Sequence, residues 1–272
     1  MSSVKVCYNR NMIHEIENPL VFNSDVNSVK YEKAQETHQT CPFCEVEQLT
    51  DLLRTSGHKI WLKNKYATLE DALMTVIIES DKHLGDVSVY SKEENRSVFQ
   101  FAFDCWDELI ASKHYRSVLM FKNFGPRSGG TLRHPHMQIV GLTEVDGYQH
   151  ISKEHFAGVE IKKNGVTITI STHPIMGFVE FNVIIHQLDQ VETLADDVQV
   201  ITQYLLNDYL NGRCDSYNLF FHHLDNQYIC KVVPRFITSP YYIGYKISQV
   251  NQLKKLKEIA SELSEKLKRN LG

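Results

Sequence analysis

The chain alternates short apolar, β-branched runs with three long stretches of helical period. "KIWLK" (59–63) and "TVIIES" (75–80) have the composition of strands. In residues 91–115, Val98, Phe101, Cys105 and Leu109 recur at three- and four-residue spacing, which predicts a helix. Ser91 is its expected N-cap, and Glu94, three residues on, would complete a capping box. Next come a strand "RSVLMFKNF", a glycine-rich loop "GPRSGG" and a strand "HMQIVGL". The grammar then repeats. "FVEFNVIIHQ" (178–187) reads as a strand, and the helix that follows carries Leu194, Val198, Ile201, Leu205 and Tyr209 on one stripe and closes at Gly212. "YNLFFHH" and "YICKVVPRF" are two more strands. Residues 248–272 form an amphipathic packing helix with Val250, Leu253, Leu256, Ile259, Ala260, Leu263 and Leu267 on its apolar side. The first forty residues show no period and are expected to wrap the domain as an irregular arm.

Laid over one another, "TVIIES…SVLMFKNF…HMQIVGL" and "FNVIIHQ…YNLFFHH…YICKVVP" suggest two divergent copies of one unit. The expected class is therefore α+β: two tandem sheets with packed helices, an N-terminal lobe over 1–150 and a degenerate C-terminal lobe over 151–272. The copies differ at one place, because the second has "DNQYIC" where the first has "LRHPHMQ".

Composition narrows the function classes. The 272 residues are 42% hydrophobic and 23% charged, so a large core is available. A net charge of −4 gives no support to a nucleic-acid surface. No run approaches the roughly 18 apolar residues of a membrane helix, and the N-terminus lacks the apolar core of a signal peptide, so no membrane partner and a cytoplasmic location are expected. Of six cysteines only Cys41 and Cys44 lie close together, which argues against a disulfide framework.

That pair, "CPFC", has the spacing that lets two thiolates reach one tetrahedral ion from a tight turn. It is also the spacing of a redox pair. A structural zinc site needs two more ligands, and His38, His58, His83, His134 and His136 are the candidates; spacing alone does not choose among them.

In the extended stretch "TLRHPHMQ", His134, His136 and Gln138 share a face while Pro135, Met137 and Ile139 take the other. A neutral imidazole that attacks phosphorus splits one displacement into two easier ones. An amide nearby donates to a phosphate oxygen, and glycines bring backbone N–H groups close to the anion. "FKNFGPRSGGTLR" has the composition of a phosphate-binding loop: Gly125, Gly129 and Gly130, the hydroxyls of Ser128 and Thr131, and the cations Lys122, Arg127 and Arg133. It lacks the P-loop pattern.

These residues resemble the histidine triad superfamily, in particular its galactose-1-phosphate uridylyltransferase branch, whose motif reads H-P-H-x-Q. The similarity runs from Cys41 through most of the chain, is strongest over Phe121–Gln138, and is closest overall to an uncharacterised bacterial group of such proteins. The resemblance implies a duplicated HIT-like α+β fold with antiparallel sheets, a homodimer, and a ping-pong reaction through a nucleotidyl-histidine on a nucleotide or nucleotide sugar. It assigns His136 as nucleophile and Gln138 as the group holding the transferred phosphate. It assigns Cys41, Cys44, His83 and His134 as ligands of a structural Zn2+, and Asn123 and Thr131 to the nucleotide and its phosphate; Arg127, Ser128, Gly129 and Gly130 join the substrate site from the composition of the loop. Where those transferases carry G-Y-E, with an acid that helps bind the hexose, this chain has "IGYKI". Lys246 in the acid's place suits a more anionic acceptor than unmodified galactose. A zinc-stabilised nucleotide-binding module without turnover, and a phosphorylase or hydrolase of the same superfamily, are the competing expectations.

Overall fold

The computed structural model describes residues 19–25 and 41–270. The arm expected over the first forty residues therefore lies mostly outside the described residues; of its described part, Phe22 forms an isolated antiparallel bridge to Leu69.

In chain order the elements are β1 (Leu52–Ser56), β2 (Lys59–Lys63), β3 (Ala72–Ile78), α1 (Lys92–Ser112), β4 (Ser117–Phe124) and β5 (His136–Leu142), then β6 (Gly158–Asn164), β7 (Val166–Ser171), β8 (Gly177–Phe178), β9 (Phe181–Ile185), α2 (Val191–Asn207), β10 (Tyr217–Leu224) and β11 (Gln227–Pro234). The chain closes with α3 (Pro240–Tyr245), β12 (Gln249–Val250) and α4 (Leu253–Asn270). Ten strands form one sheet in the order β1-β2-β3-β5-β4-β10-β11-β9-β7-β6. Every pairing in it is antiparallel. Read from its two edges inward, the sheet repeats itself: β1-β2-β3-β5-β4 from one side and β6-β7-β9-β11-β10 from the other, with the helix of each unit before its last two strands. The repeat heard in the sequence is thus a mirrored strand order, and β4 and β10 meet at its centre.

The alternation of each strand decides what each face does. Met137 and Ile139 of β5, Val118 and Met120 of β4, and Leu219 and Phe221 of β10 are buried in the main core with Phe99, Phe103 and Trp106 of α1 and Leu194, Val198 and Ile201 of α2. α4 joins this layer through Leu256, Ile259, Ala260, Leu263 and Leu267. The opposite face holds two small apolar patches, Ile60, Leu62, Val76 and Ile78 under Phe43, and Phe156, Ile184 and Ile229. No helix among the described residues is long and apolar enough to cross a membrane.

Three expectations shift in detail. Ser91 caps α1 by accepting from the Glu94 N–H at 3.1 Å, but the Glu94 carboxylate turns to Lys82, so only half of the capping box forms. The strand expected over 178–187 is broken into β8 and β9, because Glu180 turns inward to accept from the N–H groups of Ile175, Met176 and Gly177. α2 ends at Asn207, five residues before Gly212; Leu210, Asn211 and Gly212 form a turn with positive φ.

Candidate active site where β4 and β5 part

β5 is held between β3 and β4, but unequally. β3 follows it as far as Ile78↔His136, whereas β4 leaves it after Phe121↔Gln138 and continues only against β10. The strands therefore diverge where β5 begins. His136 and Gln138 share one face, the face away from the helices, and Asn123, two residues beyond Phe121, faces the same way across the split.

The N-terminal end of β5 is tied to a second centre. Cys41, Cys44, His83 and His134 each bring one ligand atom to within 4.8 Å of all the others, a cluster that could hold a metal ion. Cys44 Sγ stands 3.5 Å from Nδ1 of His83 and 3.5 Å from Nδ1 of His134. A tetrahedral ion at ordinary Zn–S and Zn–N distances puts S and N about 3.6 Å apart, so both the donor set and the spacing fit zinc. His134 is fully buried and its Nε2 donates to the carbonyl of Ser80 at 2.8 Å, which leaves Nδ1 as the lone-pair nitrogen facing the cluster. Burial also pulls its pKa below the ordinary value, favouring the neutral form that ligates. Among the other candidates, His58 lies beside Asp81 instead, and His38 falls outside the described residues.

The tetrad reaches His136 through two contacts. His136 Nδ1 lies 2.8 Å from the carbonyl of His134. A carbonyl only accepts, so Nδ1 carries the hydrogen and the neutral ring keeps its lone pair on Nε2. Phe43, inside the CPFC turn, stands edge-on to both rings, 5.6 Å from His136 and 5.8 Å from His134. Gln138 is half-buried beside them.

The glycine-rich loop crosses from β4 to β5 and is pinned to the second half of the chain. Gly125 has φ +85°, and a Cβ there would lie 2.2 Å from the carbonyl oxygen of Asp215. Arg127 donates its backbone N–H to Ser216 Oγ at 3.0 Å, and its guanidinium pairs with Asp215, holding that carboxyl below the usual range. Ser128 is buried and its hydroxyl donates to the Gly125 carbonyl at 2.7 Å while accepting from Gly130 N–H; its role is to shape the loop. Gly129, Thr131 and Arg133 are exposed, and Gly130 packs on Asn123.

One cation read from the sequence lies elsewhere. Lys122 alternates onto the helix side of the sheet, where it is 2% exposed and bonded to Glu79 at 2.5 Å. Tyr90 donates to the other oxygen of Glu79, and Tyr217 to Asp86, which lies 3.8 Å from Lys122. Burial raises the Asp86 pKa against the pull of Lys122. The glycine-loop cations are therefore Arg127 and Arg133 alone. Lys246 ends α3 in a left-handed conformation with its ammonium over the Tyr242 ring.

Residues 22–145 match the family model of the DUF4931 (domain of unknown function) N-terminal domain, and residues 148–267 that of the DUF4931 C-terminal domain. Among solved structures the chain is similar to a DUF4931 family protein from Bacillus cereus, at 42% identity and TM-score 0.72 over 80% of this chain and 99% of that one. It shares its fold with an ADP-glucose phosphorylase from Arabidopsis thaliana with bound ADP-glucose, at 16% identity and TM-score 0.65 over 85% and 93% of the two chains. It also shares its fold with a uridylyltransferase, at 14% identity and TM-score 0.65 over 87% and 94%. A sequence comparison with curated proteins finds no match.

Proposed function

The chain belongs to the DUF4931 family, and from that premise we propose that it is a nucleotidyltransferase acting on a nucleoside diphosphate sugar or dinucleotide through a nucleotidyl-His136 intermediate. The observation that carries this reading is the bond from His136 Nδ1 to the His134 carbonyl, which leaves the Nε2 lone pair on the face shared with Gln138 and Asn123. In the first half-reaction Nε2 attacks the α-phosphorus, a P–N bond forms, the P–O bond to the leaving group breaks, and that group departs with the electron pair. The imidazole takes positive charge, which is stabilised by the hydrogen bond that Nδ1–H donates to the His134 carbonyl. Gln138, Asn123 and the N–H group of Gly129 would hold the phosphoryl oxygens; Arg127, Ser128, Gly130 and Thr131 would form and flank the loop that presents them. In the second half-reaction an acceptor oxygen attacks phosphorus and the P–N bond breaks.

The identity of that acceptor decides among transferase, phosphorylase and hydrolase. Lys246 supports an anionic one, such as phosphate or a second nucleotide. Its neighbours Ile237, Tyr241, Ile243, Tyr245 and Ile247 are all exposed, an apolar surface that supports a homodimer. Cys41, Cys44, His83 and His134 would hold a structural zinc ion, whose contribution is to fix the turn and the strand entry. Reduced thiols there suit a cytoplasmic setting. We divide the chain functionally near residue 150, with the chemistry in the first lobe.

Incubation with labelled nucleotide sugars and dinucleotides tests this. An acid-labile nucleotide adduct that His136→Asn abolishes is the expected result. Tight nucleotide binding with no adduct, unchanged in His136→Asn, would instead favour the module without turnover.

A further inference from the structure

Asn218 lies on β10, in the second half of the sheet, directly paired with Asn123 of β4. It is 1% exposed. Its Nδ2 is 2.6 Å from Asn123 Oδ1 and 3.0 Å from the Ser128 carbonyl, with the Lys122 carbonyl further off at 3.5 Å. Its own Oδ1 is buried and meets no hydrogen-bond partner among the described residues. Leaving an amide oxygen unpaired costs free energy, so something must fix the amide in this orientation.

The Ser128 carbonyl does so. A backbone carbonyl only accepts, so the Asn218 group that faces it must be the NH2. The second hydrogen of that NH2 then faces Asn123, which must answer with its oxygen. Asn123 is thereby left with its own NH2 pointing away from β10. That NH2 meets no acceptor among the described residues and lies beside Gly130, where a Cβ would come 3.0 Å from Asn123 Cβ and 3.9 Å from its Nδ2. The polarity of one loop carbonyl is handed through two carboxamides to the face that carries His136.

We infer that Asn218 is a positioning residue of the site: it locks Asn123 as a hydrogen-bond donor and so selects for an acceptor oxygen of a phosphoryl group there. The inference rests on the nucleotide reading above and extends it to the second lobe, whose strand supplies a group that touches no ligand yet sets the polarity of one that does. The same strand entry, through Asp215 and Ser216, pins the glycine loop, so loop and amide are set from one place.

Asn218→Asp reverses the relay. A carboxylate cannot donate to the Ser128 carbonyl, and it draws the Asn123 NH2 toward itself, turning the Asn123 oxygen to the ligand. Calorimetry on the full chain should show UMP or AMP binding about 10- to 100-fold weaker, while uridine and adenosine bind as before and the unfolding midpoint confirms a folded protein. Asn123→Ala, which keeps the backbone pairing of β4 with β10 but removes the donor itself, should show the same selective loss and tests the Asn123 donor if Asn218→Asp does not fold. Equal weakening of nucleosides and nucleotides, or unchanged nucleotide affinity, overturns the inference. If the native chain binds neither nucleotide, the functional reading fails. The relay is decided separately by a through-hydrogen-bond coupling from the Asn218 side-chain nitrogen to the Asn123 side-chain carbonyl carbon: its presence supports the relay and its absence overturns it.

Discussion

His134 and His136 are joined through the main chain: the ring of His136 donates from Nδ1 to the carbonyl of His134, 2.8 Å away. His134 in turn donates its Nε2–H to the Ser80 carbonyl, so main-chain carbonyls fix opposite tautomers in a cluster ligand and the candidate nucleophile. Whatever holds His134 in place also aims His136.

Removal of metal should therefore act on the chemistry and not only on stability. With a chelator, the protein is expected to lose bound zinc, unfold at a lower temperature and stop forming the His136 adduct, with zinc restoring all three. Metal analysis, thermal melts and labelling on the same sample check this. Adduct formation that survives complete zinc loss would contradict the coupling.

Gly125→Ala places a methyl where φ is +85° and the Asp215 carbonyl is 2.2 Å away. The conformation alone costs about 1–3 kcal/mol, and the clash must push the glycine loop off β10. The expected outcome is a lower denaturant midpoint with a disproportionate loss of nucleotide affinity.

The buried pair Lys122–Glu79 predicts strongly non-additive behaviour. Lys122→Met or Glu79→Gln alone leaves an uncompensated buried group and should cost about 3–5 kcal/mol. The double variant should cost clearly less than the sum of the two, read from denaturant unfolding in a double-mutant cycle.

His222 gives the pH dependence a specific source. Its ring lies between Tyr148 and Phe156 at 5.8 and 5.0 Å, and neither nitrogen has a hydrogen-bond partner among the described residues. Burial, with the charges of Lys231 and His155 adding to it, lowers its pKa to about 3. The unfolded imidazole protonates near 6.5, so between these values the unfolded chain binds more protons. Stability is then complete above about pH 6.5 and falls as pH drops toward 3, by roughly 1.4 kcal/mol per unit from this residue. His222→Leu should flatten the acid limb of a melting-temperature profile.

Much of this architecture was legible in the chain. The short apolar, β-branched runs gave β2, β3, β4, β5, β9, β10 and β11, and the three-and-four spacing gave α1, α2 and α4. β1, β6 and β7 were not marked as strands: β1 and β6 form the sheet's edges, where one side goes unpaired and the apolar signal is weak, and "VTITIS" of β7 carries Thr or Ser at every second position. C-x-x-C and H-P-H-x-Q were visible because local chemistry fixes their spacing, and the structure brings Cys41, Cys44, His83 and His134 together. Lys122 was misplaced because composition ignores alternation: an even-numbered neighbour of Met120 on β4 must face the helices. Asn218 gave no local signal, since its role exists only when β10 meets β4. The alignment of "YNLFFHH" with "SVLMFKNF" was the one clue that such a neighbour existed.

The β4–β10 seam has a consequence for how the molecule can be handled. Severed anywhere between Leu142 and Gly158, each fragment would end in a strand whose backbone N–H and C=O groups had lost their partner and whose helix-facing side is Met120 or Leu219 and Phe221. Such an edge is a template for pairing with any strand it meets. The halves are therefore expected to be insoluble when expressed apart and to regain solubility when coexpressed, so that duplication here has produced two parts that can be told apart but not separated.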